Sequence, residues 1–222
     1  MYGWRARVGI IIPADNTVIE PELAQMFPAG VHGFSFRLPS IDHQELNKLA
    51  LELAPPAMKI IGLNLVAYCC AASSFFQGAA AERELVRRLE DAYEKPAVTA
   101  AGAMVAAVQK ASARRIALLS PYKASQTQLL VNYLVENDIE VTGCHSLEIG
   151  TLDSNLQTPE FTYRALRRMS IGKADAVLIT STSFRTLEIL SVAERDLNLP
   201  VLSSNSALAS EILGRLNIAR SA

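Results

Sequence analysis

An internal duplication restricts this chain more than any other feature: three strand-like segments recur at nearly constant spacing, each followed by similar residues. VGIIIP, ending at Pro13, is matched by IALLSP, ending at Pro121, 108 residues further on. LVAYCCAASSF aligns with AVLITSTSFRT so that Cys70 corresponds to Ser181, a spacing of 111 residues. KPAVTAAGAMVAAV matches LPVLSSNSALASEI, with Pro96 and Pro200 separated by 104 residues. A chain that repeats its strand ends in this way is expected to form two similar halves related by a pseudo-twofold axis.

Apolar β-rich runs alternate with helical stretches throughout, the pattern of an α/β protein with parallel sheets. Residues 8–13, 63–69, 96–99, 115–119, 174–180 and 199–203 read as buried strands, and residues near 31–38 and 139–147 as weaker ones. Residues 77–94, with their alanines, leucines and charge pairs four apart, read as a helix with one exposed face. In parallel sheets ligands bind beyond the carboxyl ends of the strands. Residues 13–17, 69–74, 100–102, 120–122, 180–183 and 203–206 are therefore where a site is expected, with Cys70 on one side and Ser181 on the other.

Charge and cysteine usage exclude several functions. Lysine and arginine total 21 against 22 acidic residues, so no net field holds nucleic acid or an anionic membrane. The three cysteines are odd in number and Cys69 and Cys70 are adjacent, which suits neither a disulfide framework nor a zinc site. A reduced, cytoplasmic chain is the expectation. The N-terminal apolar run is cut short by Pro13 and Asp15, and GLNLVAYCCAASSFF is shorter than a bilayer span. Neither secretion nor a membrane span is expected, and the sequence is compatible with a homo-oligomer.

Cys70 ends an apolar strand and precedes a helix start signalled by Ser74 and Gln77. The partial positive charge of a helix N-terminus lowers a thiol from about 8.5 into a range of roughly 3.5 to 7.5, so Cys70 is read as a thiolate nucleophile or base. Cys69, on the opposite strand face, is read as a small buried thiol, and Cys144 as structural. Thr17 and Glu20 form a capping box, which leaves Asn16 to face a ligand. Tyr122 occupies the equivalent place in the second half, as a carboxylate donor or a partly exposed loop residue. Ser181, Thr182 and Ser183 are read as caps or ligands, and Asn155, Asn205 and Ser206 as further polar candidates of the same kind. His32, His43 and His145 stand singly and are read as surface or turn residues. Nucleotide, Walker, zinc-protease and C-x-x-C motifs are missing, so the chemistry is expected to need no cofactor and no metal.

These segments together resemble the aspartate/glutamate racemase superfamily, in the branch that contains maleate cis-trans isomerase and arylmalonate decarboxylase. The resemblance runs over essentially the whole chain. VGIIIPADNTVIEPEL, AYCCAASSFFQG, IALLSPY, ADAVLITSTSFRTLEIL and LPVLSSNSALASEIL carry it. It implies two Rossmann-like halves with parallel four-stranded sheets and an active site between them: residues 1–105, completed by 206–222, and residues 106–205. It further implies a cofactor-independent enzyme acting on a small carboxylate or dicarboxylate.

In the isomerases the cysteine matching Cys70 adds to the substrate double bond, the resulting single bond rotates, and elimination releases fumarate. Asn16, Tyr122 and Asn155 match carboxylate-holding positions, and Thr182 is expected to join them. The family places a second cysteine where Ser181 stands, which makes Ser181 a hydrogen-bond donor here. The decarboxylases carry their cysteine at the Ser181 position and glycine at the Cys70 position. Their hydroxyl residues match Ala71 and Ala72, whose backbone amides alone remain for that role. Maleate-isomerase-like chemistry is the favoured expectation, decarboxylation of a disubstituted malonate the alternative, and a carboxylate-binding chain without catalysis the third. The small residues Ala71, Ala72 and 100–102 suggest a pocket roomier than maleate needs.

Overall fold

In the computed structural model, which describes residues 2–219, eight strands and eleven helices alternate along the described chain. The first half runs β1 (Ala6–Pro13), α1 (Ile19–Met26), β2 (Val31–Leu38), α2 (His43–Glu52), α3 (Pro55–Lys59), β3 (Leu65–Tyr68), α4 (Ala71–Phe75), α5 (Ala79–Tyr93), β4 (Ala97–Thr99) and α6 (Ala100–Lys110). The second runs β5 (Arg115–Ser120), α7 (Ala124–Val135), β6 (Glu140–Ser146), α8 (Thr151–Ser154), α9 (Pro159–Arg168), β7 (Ala176–Ile179), α10 (Leu190–Leu197), β8 (Val201–Ser203) and α11 (Ser204–Arg215).

Each half holds a four-stranded, wholly parallel sheet, ordered β2-β1-β3-β4 in the first and β6-β5-β7-β8 in the second. The orders are the same under the duplication. β3 and β7 begin at Leu65 and Ala176, and β4 and β8 at Ala97 and Val201, at the spacings the sequence shows. The inner strands are apolar on both faces because both faces are covered. Val8, Ile10, Leu65, Ala67, Ile116 and Leu178 meet in a central core shared by the halves. Ile11, Val66 and Tyr68 face an outer core under α2 and α5, while Leu119, Val177 and Ile179 face its counterpart in the second half.

α11, although it follows β8, packs on α6, α1 and β4 as well as on its own sheet. The N-terminus of α5 is likewise served from the other half, since the Ala79 N–H donates to Glu136 Oε2 at 2.7 Å. Among the described residues no helix is long and apolar enough to cross a membrane.

Buried polar contacts complete the seam. Glu22 on α1 is nearly sealed from solvent, and its carboxylate accepts the Thr186 and Leu187 N–H groups at 2.7 and 3.0 Å. It also accepts Asn205 Nδ2 at 2.7 Å and the Thr186 hydroxyl at 3.3 Å. All these partners lie more than 160 residues away in sequence. Removing the acceptor strands several buried donors, each costing roughly 1 to 3 kcal/mol. Glu22→Ala is therefore expected to lose on the order of 3 kcal/mol in urea unfolding. Glu22→Gln is expected to lose less, because its amide can donate to Asn205 Oδ1, which is buried with no partner.

Candidate active site

The carboxyl ends of β1, β3, β5 and β7 converge on a small cavity at the seam, lined from the first half by Pro13, Asp15, Ile41, His43, Leu46 and Cys70–Ala72, and from the second by Tyr122 and Ser181–Ser183. Cys70 leaves β3 in extended conformation and stands at the N-cap of α4. Its sulfur is 2.9 Å from the Ser73 hydroxyl. That hydroxyl and the backbone N–H groups of Ser73 and Ala72 favour the thiolate, but burial outweighs them and pushes the thiol above its ordinary value. This corrects the expectation of a thiolate made ready by the helix alone: α4 has only five residues and the sulfur is almost fully enclosed. Cys69 points the other way, into the central core, where burial also keeps it protonated.

Ser181, the duplicate of Cys70, differs from it in backbone geometry. It sits at φ 86°, a conformation that a residue with a β-carbon rarely adopts, and no helix begins until α10. Ser181 and its neighbours therefore do not cap a helix. Instead the Ser181 hydroxyl accepts the Ser183 N–H at 3.2 Å. Tyr122 is buried rather than partly exposed, and burial raises its phenol well above the usual range despite hydrogen bonds with Ser181 and Thr180.

Thr182 lines the cavity, yet its hydroxyl is spent: it donates to the Cys69 carbonyl and accepts Asn16 Nδ2, both at 3.0 Å. Asn16 Oδ1 accepts the Val18 and Ile19 N–H groups, so Asn16 supplies the turn into α1 that the sequence assigned to Thr17 and Glu20. Asn155 also lies outside the cavity lining, donating to the Asp15 carbonyl at 3.1 Å and accepting the Thr17 N–H at 3.3 Å. Asn205 and Ser206 serve the Glu22 cluster and the cap of α11. The structure thus gathers Cys70, Ala71, Ala72, Tyr122, Ser181 and Thr182 around one space and makes Asn16 and Asn155 part of its frame.

One residue of the site escaped the sequence reading, and another lay within an expected segment without being singled out. His43, read as a surface or turn residue, lies against the cavity at the first turn of α2, with Nδ1 3.3 Å from the Ser73 hydroxyl. Burial lowers its imidazole below the ordinary value, partly offset by Asp42. Asp15 also borders the cavity, and its Oδ2 is buried without a partner. The cavity measures only about 30 Å³, smaller than the roomy pocket that the small residues suggest. Ile41, His43 and Leu46 fill what Ala71 and Ala72 leave.

Desolvation raises the Asp15 carboxyl above its ordinary value, with its own backbone N–H and the Arg37 charge opposing. A carboxyl raised on folding favours the native state below its unfolded value, and that advantage is lost as pH climbs through the native one. Asp15→Asn is accordingly expected to melt higher than the parent at neutral pH, with the gap closing as the pH falls to about 4; melting curves across that range check it.

A family model described as arylmalonate decarboxylase matches residues 8–222. A maleate isomerase of Geobacillus stearothermophilus is 26% identical over 231 residues, covering 96% of this chain and 92% of the relative. The arylmalonate decarboxylase of Bordetella bronchiseptica is 24% identical over 206 residues, covering 90% and 86%. Among solved structures, a mutant maleate cis-trans isomerase of Nocardia farcinica with a covalently bound succinylcysteine intermediate superposes with a TM-score of 0.86 at 21% identity, covering 96% and 93%. That neighbour has the same fold. Since the family model spans nearly the entire chain, the protein belongs to the arylmalonate decarboxylase family.

Proposed function

We propose that this protein is a cofactor-independent enzyme that isomerises a small cis-dicarboxylate, with maleate as the model substrate and Cys70 as the nucleophile. One observation carries the reading: a lone thiol, ringed by three hydrogen-bond donors, faces Ser181 and Tyr122 across the seam of two duplicated halves. The four curated maleate isomerases that align over most of the chain support it, as does the Nocardia neighbour, whose cysteine carries a succinyl group.

In the proposed reaction the Cys70 sulfur forms a bond to one alkene carbon, and the π electrons move to the other carbon and its carboxylate. The former double bond, now single, rotates. The electrons return, the carbon–sulfur bond breaks, and fumarate leaves with the thiolate restored. Atoms and charge balance without any external reagent. Tyr122 and Ser181 are assigned as donors to the substrate carboxylates, together with the backbone amides of Ala71 and Ala72. Asn16, Asn155 and Thr182 are assigned the task of fixing the strand-end loops that carry those groups. A four-carbon diacid is larger than the cavity of about 30 Å³, so the segment around Ile41 and His43 is assigned to withdraw on binding. The same proposal includes a reducing, cytoplasmic setting, supported by three unpaired cysteines. Residues 1–105 with 206–222, and residues 106–205, are proposed as the two structural units, supported by the packing of α11 on α6, α1 and β4.

Decarboxylation of a disubstituted malonate is the second reading, favoured by the apolar wall of Pro13, Ile41 and Leu46 and by the family model. The two are separated by proton NMR of the reduced protein with maleate or phenylmalonate in deuterated buffer. The expected result is fumarate from maleate and none from Cys70→Ala, a loss of at least about a thousandfold. Carbon dioxide from phenylmalonate with maleate untouched would overturn the isomerase reading.

A further inference from the structure

His43 completes a line of three polar groups that neither the thiol chemistry nor the frame of the site accounts for. The Cys70 sulfur lies 2.9 Å from the Ser73 hydroxyl, that hydroxyl lies 3.3 Å from His43 Nδ1, and His43 Nε2 lies 2.9 Å from Gln126 Nε2 on α7. The links come from α4, α2 and the second half of the protein, so the line crosses the seam. We propose that His43 takes the Cys70 proton through the Ser73 hydroxyl, creating the nucleophile that burial otherwise suppresses. The inference rests on Cys70 being the reacting group of the proposed function.

Each member is held in place. Ser73 is buried, and its carbonyl accepts Asn47 Nδ2 at 3.0 Å, while Asn47 Oδ1 accepts the Tyr68 hydroxyl at 2.8 Å. The imidazole packs on the Phe76 ring, with centroids 5.8 Å apart. The proton balance is simple. The thiol gives its proton to Ser73 Oγ as Ser73 gives its own to Nδ1, leaving a thiolate and an imidazolium, and reversal restores both. Among the described residues that line the cavity there is no lysine or arginine, so the imidazolium places a positive charge directly in the lining, while Arg37 acts from beside Asp15.

The charged and titratable surroundings agree with that task. Asp42, immediately before His43, favours the imidazolium, and burial opposes it more strongly, which favours the neutral ring. Cys70, Asp15 and Tyr122 share the cavity, while α7 presents only the uncharged Gln126 to the ring. The amide of Gln126 acts as the selector of tautomer. As placed, the NH₂ group faces Nε2, the arrangement in which Nδ1 carries the proton and the line donates toward sulfur. A half-turn of the amide brings its oxygen to Nε2–H and turns the lone pair at Nδ1 toward Ser73, and this is the arrangement in which the relay takes the thiol proton.

The test reads the thiol directly and needs no substrate. Alkylation of Cys70 by iodoacetamide, followed peptide by peptide by mass spectrometry, is measured from about pH 5 to 10 in the parent, His43→Asn and Ser73→Ala. Asparagine can donate to Ser73 but takes up no proton. The expected result is a pH profile displaced upward in both variants, with alkylation near pH 7 at least about tenfold slower, and recovery of His43→Ala by added imidazole. A parental profile in folded His43→Asn would overturn the relay, as would a slowed His43→Ala that imidazole does not restore. Circular dichroism confirms folding of each variant. Maleate turnover, measured in parallel, keeps the two proposals apart. A displaced profile without turnover upholds the relay and removes the substrate assignment, whereas unchanged profiles with turnover intact in His43→Asn do the reverse.

Discussion

The placement of Cys70 against Ser181 depends on the buried carboxylate of Glu22 and the short bridge formed by Asn16, Thr182 and the Cys69 carbonyl. Each sheet is complete in itself, and no strand of one pairs with a strand of the other. Ladder hydrogen bonds therefore set the geometry within a half and say nothing about the relation between halves. Apolar contact in the shared core brings the sheets together but is non-directional, so it leaves them free to slide. Directional bonds remove that freedom. Asn16 connects the end of β1 to the end of β7, and Thr182 connects β7 to the residue beside the reacting thiol, so a shift of one half would break bonds and misplace the site together.

Enclosure and polarity oppose one another at this site. Burial favours the uncharged forms of Cys70, Tyr122 and Asp15 around this small cavity. The donors around sulfur act in the opposite sense, and in a medium of low dielectric each is worth more than it would be in water. The positive φ of Ser181 fits this picture, since it turns the chain sharply where a helix would otherwise consume the space opposite Cys70.

Much of the architecture is legible because its cause is local. Val8, Ile10, Leu65 and Ala67 are apolar runs in strands covered on both faces, so the strands stand out, and the recurrence of their ends exposes the duplication. β2 and β6 are weaker signals because they are sheet edges whose outward residues, such as His32 and Glu140, meet solvent. Cys70 is legible from its place at a strand end. Its protonation state is not, because desolvation depends on Ile41, Leu46 and Tyr122, which arrive from two other segments. His43 is separated by 30 residues from Ser73 and by 83 from Gln126, and no periodicity announces contacts of that range. The helix start at Asn16 is hard to read for a local reason: T-V-I-E competes with it for the same start, and in the structure the amide oxygen of Asn16 holds the Val18 and Ile19 N–H groups.

The adjacent thiols of Cys69 and Cys70 sit on opposite faces of one strand end, one in the shared core and the other in the outer core beside the cavity. A disulfide between sequence neighbours needs both sulfurs on the same side of the peptide that joins them, with β-carbons about 4 Å apart. Here the pleat keeps them apart, and turning Cys69 outward would drag the carbonyl that accepts Thr182 out of the seam. Oxidants that close vicinal dithiols into eight-membered rings therefore find no ready partner for the Cys70 sulfur in Cys69. The arrangement insulates each thiol from its nearest neighbour by the simplest property of extended backbone, the alternation of its side chains.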